Sequence, residues 1–353
     1  MISVVIPALD RAHMLPATLA PWRTRGDCQL IVVDDGSTDE SASVAAAHGA
    51  EVVRMPESLG PAAARNAGLD RARGDHVVFL DADIVVPERF AEEVARAHAY
   101  ASDLVVLGLR RQQPPPDRPD ASPRRDSRQL LADLYSYNLA RHPQPWALAF
   151  SCVLSAPRAL LDRAALPPPG GVFDPDFRQW GLEDLELGLR LAAAGARWAF
   201  ALGVDSDHQY HDREMTAERF AGWRTNLSRM VQRHPAAGRY TAMSRMFDPA
   251  VRADFLDTFQ SFAGPPPSAT DALVLRVRAD APLPVLLDRV ARTDEDSTVF
   301  LVAQQPSSRL AAACATVPQS ARIALYPEEA WDQVAPVALA GCRKVITEEF
   351  RSR

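Results

Sequence analysis

The chain has 353 residues, 47% hydrophobic and 24% charged, with a formal net charge of -6. That length suggests two domains or one large domain with an appendage, and the composition is that of a globular protein able to bury a core. The acidic balance speaks against a general nucleic-acid or membrane-surface binder, though it leaves room for a local basic pocket.

The first hundred residues alternate strand and helix signals. Ser3 to Ile6 is a short apolar run, and Asp10 to Trp22 carries helical spacing through Met14, Leu15, Leu19 and Trp22. Gln29 to Val33 is a second strand, closed by Asp34-Asp35-Gly36-Ser37. Ser37 to His48 reads as a helix that Ser37 or Thr38 could cap. Glu51 to Arg54 is a third strand, Gly60 to Arg73 an alanine-rich helix, and His76 to Leu80 a fourth strand ending at Asp81-Ala82-Asp83. Short apolar strands separated by helices predict an α/β fold, a mostly parallel sheet with helices on both faces.

Residues 110–128, RRQQPPPDRPDASPRRDSR, break this pattern and predict a flexible loop, a candidate lid over a bound ligand. Apolar periodicity resumes at Leu130 and runs to about Met246. A Gly-Pro-Pro-Pro-Ser linker follows within 249–270. Strand-like runs at Ala272–Val277, Thr298–Val302 and Arg322–Tyr326 then alternate with helical stretches at Pro284–Ala291 and Ser308–Ala315. They predict a small α/β domain over 271–353 whose role the sequence leaves open between acceptor recognition and dimerisation. The expected division is therefore 1–248, comprising 1–109, the loop 110–128 and 129–248, then 249–270 and 271–353. Cys28, Cys152, Cys314 and Cys342 are far apart and form no CxxC pair, as expected of reduced thiols in a cytoplasmic protein. The chain shows no signal-peptide pattern and no apolar run long enough for a membrane span, so any membrane contact is expected to be peripheral.

Ligands on such sheets collect at the carboxyl ends of the strands, which is where the acidic clusters fall. Asp81 and Asp83, one residue apart at a strand end, suit a hard divalent cation such as Mn²⁺ or Mg²⁺. A polar turn is the plainer account of a lone pair of this kind. Its place between two apolar runs favours a cation, because close buried carboxylates need positive charge to offset their repulsion. Asp34 and Asp35 fit a strand-to-helix turn and equally a contact to a base or ribose. Arg65, on a helix of small residues, could reach a diphosphate with its forked donors. Trp180-Gly181 offers an aromatic wall and a tight turn before Glu183-Asp184 at a predicted helix start. Acidic residues there complement the helix dipole, and beside an aromatic platform Asp184 suits a general base on a hydroxyl. His208 and His211 follow a strand-like run, and neutral imidazoles are good ligands for Mn²⁺.

Taken in order, "SVVIPALDRAHMLPATL", "LIVVDDGSTDES", "LGPAAARNAGLDRARGDHVVFLDADIVVP", "WGLEDLELGLRL" and "HQYH" resemble family 2 glycosyltransferases of the GT-A fold over about residues 1 to 245. The last two segments are similar to the acceptor side of the galactosyltransferase and chondroitin-polymerase branch. The resemblance implies a non-processive enzyme that transfers a sugar with inversion from a nucleotide-sugar, UDP-linked by family habit. The acceptor hydroxyl would belong to a glycan, a lipid-linked intermediate, a natural product or a peptide. It implies that Asp81 and Asp83 hold the metal, with Asp83 the direct ligand, together with His208, or failing that His211. Pro7, Asp10, Asp34 and Asp35 are implied at the uracil and ribose, and Arg65 at the diphosphate. Asp184 is implied as the base, with Glu183 beside it binding the acceptor or donor sugar and Trp180-Gly181 among the donor-binding residues. Asp10 stands where the family more often has Asn, and Leu182 where Gly is common. A nucleotidyltransferase would show a Gly-rich phosphate loop after the first strand, which "PALDRAHML" lacks. A processive synthase would show membrane helices and QxxRW, and a silent nucleotide-sugar-binding protein would have lost the base or the metal pair.

Overall fold

The computed structural model describes residues 1–23, 26–125, 128, 136–142, 144–211, 216–235, 237, 271–317 and 320–350. The expected linker at 249–270 lies outside them.

The amino-terminal half is built on strands β1 (Ile2–Ala8), β2 (Cys28–Asp34), β3 (Glu51–Arg54) and β4 (His76–Leu80). Helices α1 (Leu15–Leu19), α2 (Ser41–Ala47) and α3 (Pro61–Leu69) separate them. These four strands pair in parallel in the order β3-β2-β1-β4. Most of their residues are apolar and buried, because helices cover both faces. α3 lies close on this sheet because Gly68 has no side chain. A Cβ there would come within 2.4 Å of Val5 and 2.9 Å of Val33.

Beyond β4 the parallel pattern ends. The chain continues through β5 (Ile84–Val85), α4 (Phe90–His98), β6 (Leu104–Gln112) and β7 (Arg124–Arg125). It goes on through β8 (Val153–Pro157), α5 (Arg158–Ala164), α6 (Glu183–Ala193), β9 (Arg197–His208) and α7 (Ala217–Arg233). β8 inserts antiparallel between β4 and β6, and β9 runs parallel to β6 and antiparallel to β5. The sheet of nine strands is thus mixed, with the order β3-β2-β1-β4-β8-β6-β9-β5 and β7 on β6. Within the Pro- and Arg-rich stretch, residues 113–123 connect the β6–β7 hairpin, so 110–112 and 124–125 belong to strands rather than a loop.

The carboxyl-terminal residues form β10 (Asp271–Val277), α8 (Leu283–Ala291), β11 (Ser297–Ala303), α9 (Ser308–Thr316), β12 (Ile323–Pro327), α10 (Glu328–Ala338) and β13 (Lys344–Phe350). All pairings here are parallel, in the order β12-β11-β10-β13. The two sheets are separate but share a core. α9 packs against β9 and α4, and Leu275, Ala312 and Cys314 belong to the same apolar cluster as Val94 and Phe200. The Ser308 hydroxyl donates to the Leu202 carbonyl, and the Asn138 amide donates to the carbonyls of Ser320 and Ile323. The Leu325 N–H donates to the Ser136 carbonyl, so the segment at 136–138 covers part of the β12 edge. No helix among the described residues is long and apolar enough to cross a membrane, and the four cysteines are free thiols.

Candidate functional site

The carboxyl ends of β1, β2 and β4 carry the acidic residues that the sequence placed there. Asp10 sits two residues past β1 with a φ of +52°, a conformation that Asp and Asn tolerate better than most side chains. Its Oδ1 accepts from the N–H groups of Thr38, at 2.8 Å, and Asp39, at 3.3 Å. Ser37 in turn accepts from the Asp10 N–H. The helix expected from Ser37 starts instead at Ser41. Neither Ser37 nor Thr38 caps it, because both are engaged by Asp10 while Asp39 accepts from the Ser41 N–H and hydroxyl. Pro7 lies within β1, opposite Val33.

Asp34 and Asp35 are both buried. Asp34 accepts from the Ser37 N–H and pairs with Arg54 at 3.3 Å. Asp35 accepts from the N–H groups of Leu59 and Gly60 and from the Ser58 hydroxyl. Asp34 thus holds its own turn and the end of β3, and Asp35 fastens β2 to the start of α3. Gly60 is required there. Its φ is +92°, and a Cβ would stand 2.6 Å from the Arg178 carbonyl oxygen.

Arg65 is 4% exposed and lies between two carboxylates, 2.9 Å from Asp81 Oδ1 and 2.9 Å from Glu183 Oε1, with its guanidinium over the Phe173 ring. It joins the DxD turn to the start of α6 and acts as their shared counter-charge. Asn66, next to it, clamps Phe173 by accepting from its N–H and donating to its carbonyl.

Asp83 faces the other way. The short β5 pairs antiparallel with the end of β9, opposing Ile84 to His208, and the Gln209 N–H donates to the Asp83 carbonyl. This pairing brings His208 Nε2 to 3.2 Å from Asp83 Oδ1 and His211 Nε2 to 3.0 Å from Oδ2. One ligand atom from each of the three residues falls within 4.8 Å of the others. Burial alone would raise the Asp83 pKa, but the two imidazoles overcome it and hold the carboxyl far below the usual carboxylate range. Asp83 Oδ1 is buried without a hydrogen-bond partner, and a carboxylate with two imidazoles is a donor set suited to Mn²⁺. The residues fit a divalent cation. Both imidazoles converge on Asp83, whereas Asp81 is turned to Arg65.

Glu183 and Asp184 open α6 just after Gly181 and Leu182, whose φ values are +90° and +75°. For Leu182 the left-handed conformation costs about 1–2 kcal/mol, which is why glycine would be favoured there. Asp184 Oδ2 accepts from the Ser151 N–H at 3.2 Å, and Oδ1 from the Leu185 N–H. Burial, reinforced by the neighbouring Glu183 charge, pushes the Asp184 carboxyl up to about 7, against the pull of Arg65 and the two N–H groups. A carboxylate of this kind is a competent proton acceptor near neutrality. Glu183 Oε2 is buried without a hydrogen-bond partner. Trp180 is exposed, with the Arg219 guanidinium over its ring.

Several positioning groups were not legible in the sequence. Asn226 of α7 donates to the carbonyls of Gln179 and Gly181 and fixes the turn before α6. The Thr18 hydroxyl donates to the Ala82 carbonyl inside the DxD turn, and the Gln209 amide donates to Thr18. The Gln112 amide meets His208 Nδ1. Of these, only Thr18 and Gln209 stand within the family-like motifs, in "SVVIPALDRAHMLPATL" and "HQYH".

A mixed sheet with acidic residues at its carboxyl edge, a carboxylate–imidazole trio and a separate carboxylate at a helix start defines a GT-A protein. The fold is also that of the solved structure of GalNAc-T7 with UDP, GalNAc and Mn²⁺, at 15% identity and a TM-score of 0.52 over 77% of this chain and 59% of that one. Residues 3–153 match the family described as glycosyl transferase family 2. It is 30% identical over 271 residues to a validoxylamine A glucosyltransferase of Streptomyces hygroscopicus subsp. jinggangensis, covering 67% of this chain and 61% of that protein. It is 32% identical over 241 residues to a pre-mycofactocin glycosyltransferase of Mycobacterium tuberculosis, covering 66% of this chain and 48% of that protein. The chain thus spans about half to three-fifths of the length of these curated relatives.

Proposed function

We propose that the chain is a metal-dependent, inverting, non-processive glycosyltransferase that moves a sugar from a nucleotide-sugar, UDP-linked, onto an acceptor hydroxyl. The observation that carries this reading is the joining of two half-sites through Arg65. The DxD turn with its imidazoles and the Glu183–Asp184 pair become one surface because a single guanidinium bonds Asp81 and Glu183. The buried Asp184 carboxyl, pushed up to about 7 beside that edge, favours an enzyme over a silent binding protein.

In this reading Asp83, His208 and His211 hold Mn²⁺ or Mg²⁺, which when bound neutralises charge on a leaving diphosphate. Asp184 takes the acceptor proton as the hydroxyl oxygen attacks the anomeric carbon from the face opposite the leaving group. The Ser151 and Leu185 N–H groups keep its oxygens aimed while it does so. Arg65 balances the negative charge of Asp81 and Glu183, so that a diphosphate can approach. Glu183 and the Trp180-Gly181 turn contact the sugars, as in the galactosyltransferase-like acceptor segment that "WGLED" resembles. Asp10, Asp34 and Asp35 shape the nucleotide pocket through the turns they hold, with Pro7 at its floor. The acceptor is a small molecule, a reading supported by two relatives named for validoxylamine A and pre-mycofactocin. Residues 1–248 form the catalytic part, and 271–353 brace it.

The test is a panel of nucleotide-sugars offered with and without Mn²⁺, scored by release of nucleoside diphosphate. Turnover of one donor that chelation abolishes is expected. Indifference to every donor and to chelator sinks the reading.

A further inference from the structure

Gln112 is the last residue of β6. It stands opposite His208 in the parallel register of β6 and β9, and opposite Arg124 at the base of the β6–β7 hairpin. Its Oε1 is 2.5 Å from His208 Nδ1, and its Nε2 is 3.5 Å from the His208 carbonyl oxygen. An amide oxygen only accepts and an amide nitrogen only donates. The reverse orientation would set the NH₂ group against the ring nitrogen and the amide oxygen against the carbonyl oxygen, two acceptors facing each other. With the oxygen at Nδ1, that nitrogen must carry the proton. The Gln113 N–H donates to the same His208 carbonyl at 2.9 Å, so backbone and side chain together fix the residue.

We propose that Gln112 is a positioning residue that locks His208 as the Nδ1–H tautomer and so turns a bare Nε2 toward a divalent cation shared with Asp83 and His211. This rests on the metal site proposed above. The logic is that of an outer partner which sets ring orientation and basicity for a metal-bound imidazole. Without metal, a proton on Nε2 faces Asp83 Oδ1 at 3.2 Å; a cation takes that proton's place while the Nδ1–H stays on Gln112. Gln112 also ties this ligand to the root of the Pro- and Arg-rich hairpin, so the pose of that hairpin and the aim of His208 are set by one side chain.

The test is titration of the full-length protein with Mn²⁺ alone, following the paramagnetic resonance of free Mn²⁺. Gln112→Leu is expected to weaken binding roughly 10- to 100-fold, while Gln112→Glu, which keeps an accepting oxygen, stays within about threefold of wild type. In ¹⁵N-histidine-labelled wild-type protein free of metal, long-range proton–nitrogen correlation at alkaline pH should show His208 protonated at Nδ1. An Nε2–H signal there overturns the proposal without any variant. So does Gln112→Leu binding Mn²⁺ as tightly as wild type, or Gln112→Glu losing as much as Gln112→Leu. If the wild-type protein binds no Mn²⁺ at all, the metal-site reading falls and takes this inference with it.

Discussion

The protein contains two sheets built by the same rule and put to different use. In β1, β2 and β4, parallel apolar strands end at Asp10, at Asp34 and Asp35, and at Asp81 and Asp83. In the second sheet the parallel strands β10, β11 and β12 end at Val277, Ala303 and Pro327, and β13 ends at Phe350. Both carboxyl edges receive helix starts, and both are where α/β sheets hold ligands. Among the described residues, only the first gathers carboxylates, imidazoles and a buried guanidinium. The second sheet instead presents helix α9, buried except at Arg309 and Thr316, to β9 and α4, and bonds the 136–138 segment through Asn138 and Leu325. Architecture supplies an edge, and residue chemistry decides whether it becomes a site.

Substitutions can break that contrast. The largest effect is expected at Asp184→Asn, where transfer should fall by about 10²- to 10⁴-fold while nucleotide binding is kept. A variant that turns over at the wild-type rate removes Asp184 from the reaction. Asp83→Ala should raise the Mn²⁺ dissociation constant by more than about 100-fold, read by calorimetry, since it removes a ligand rather than a ligand's support. Unchanged affinity would separate the carboxylate–imidazole trio from any metal.

The pH profile sharpens the same assignment. The proposed base, Asp184, can accept a proton only when ionised, and its carboxyl is pushed up to about 7. The kcat/KM value should therefore fall about tenfold per pH unit below 7 and level off above it. A rate flat down to pH 5 would mean that another group accepts the proton.

Effects in the second sheet should be smaller and of another kind. Asn138→Leu leaves two carbonyls without their amide donor and should destabilise the fold by about 1–3 kcal/mol in chemical denaturation, with Mn²⁺ affinity unchanged. Arg278→Ala, at the carboxyl edge of β10, removes only a long surface pair with Glu349 and should change stability by less than about 0.5 kcal/mol and transfer not at all. A large loss of activity there would make the second edge a site as well.

The strands and carboxylates of the first half were legible because their signals are local. A strand of consecutive buried apolar residues followed by Asp-Asp-Gly or Asp-Ala-Asp shows itself within ten residues. The insertion of β8 between β4 and β6 was not legible, since the direction of pairing depends on a return connection from elsewhere in the chain. The capping of α2 was misread for a related reason. Asp10, 27 to 29 residues upstream, takes the N–H groups and the hydroxyl that a local reading assigns to the helix. Arg65 was placed near the site by its motif, but its carboxylate partners are 16 and 118 residues away.

The sequence by itself determined at which strand ends the acidic side chains sit, because period-two and period-3.6 apolar patterns fix elements and their ends. It left open which imidazole faces Asp83, what holds Arg65 and what aims His208. Those were decided by the register of β5 and β6 on β9 and by burial. A charge or a ring nitrogen removed from water must find a partner in whatever the fold brings beside it.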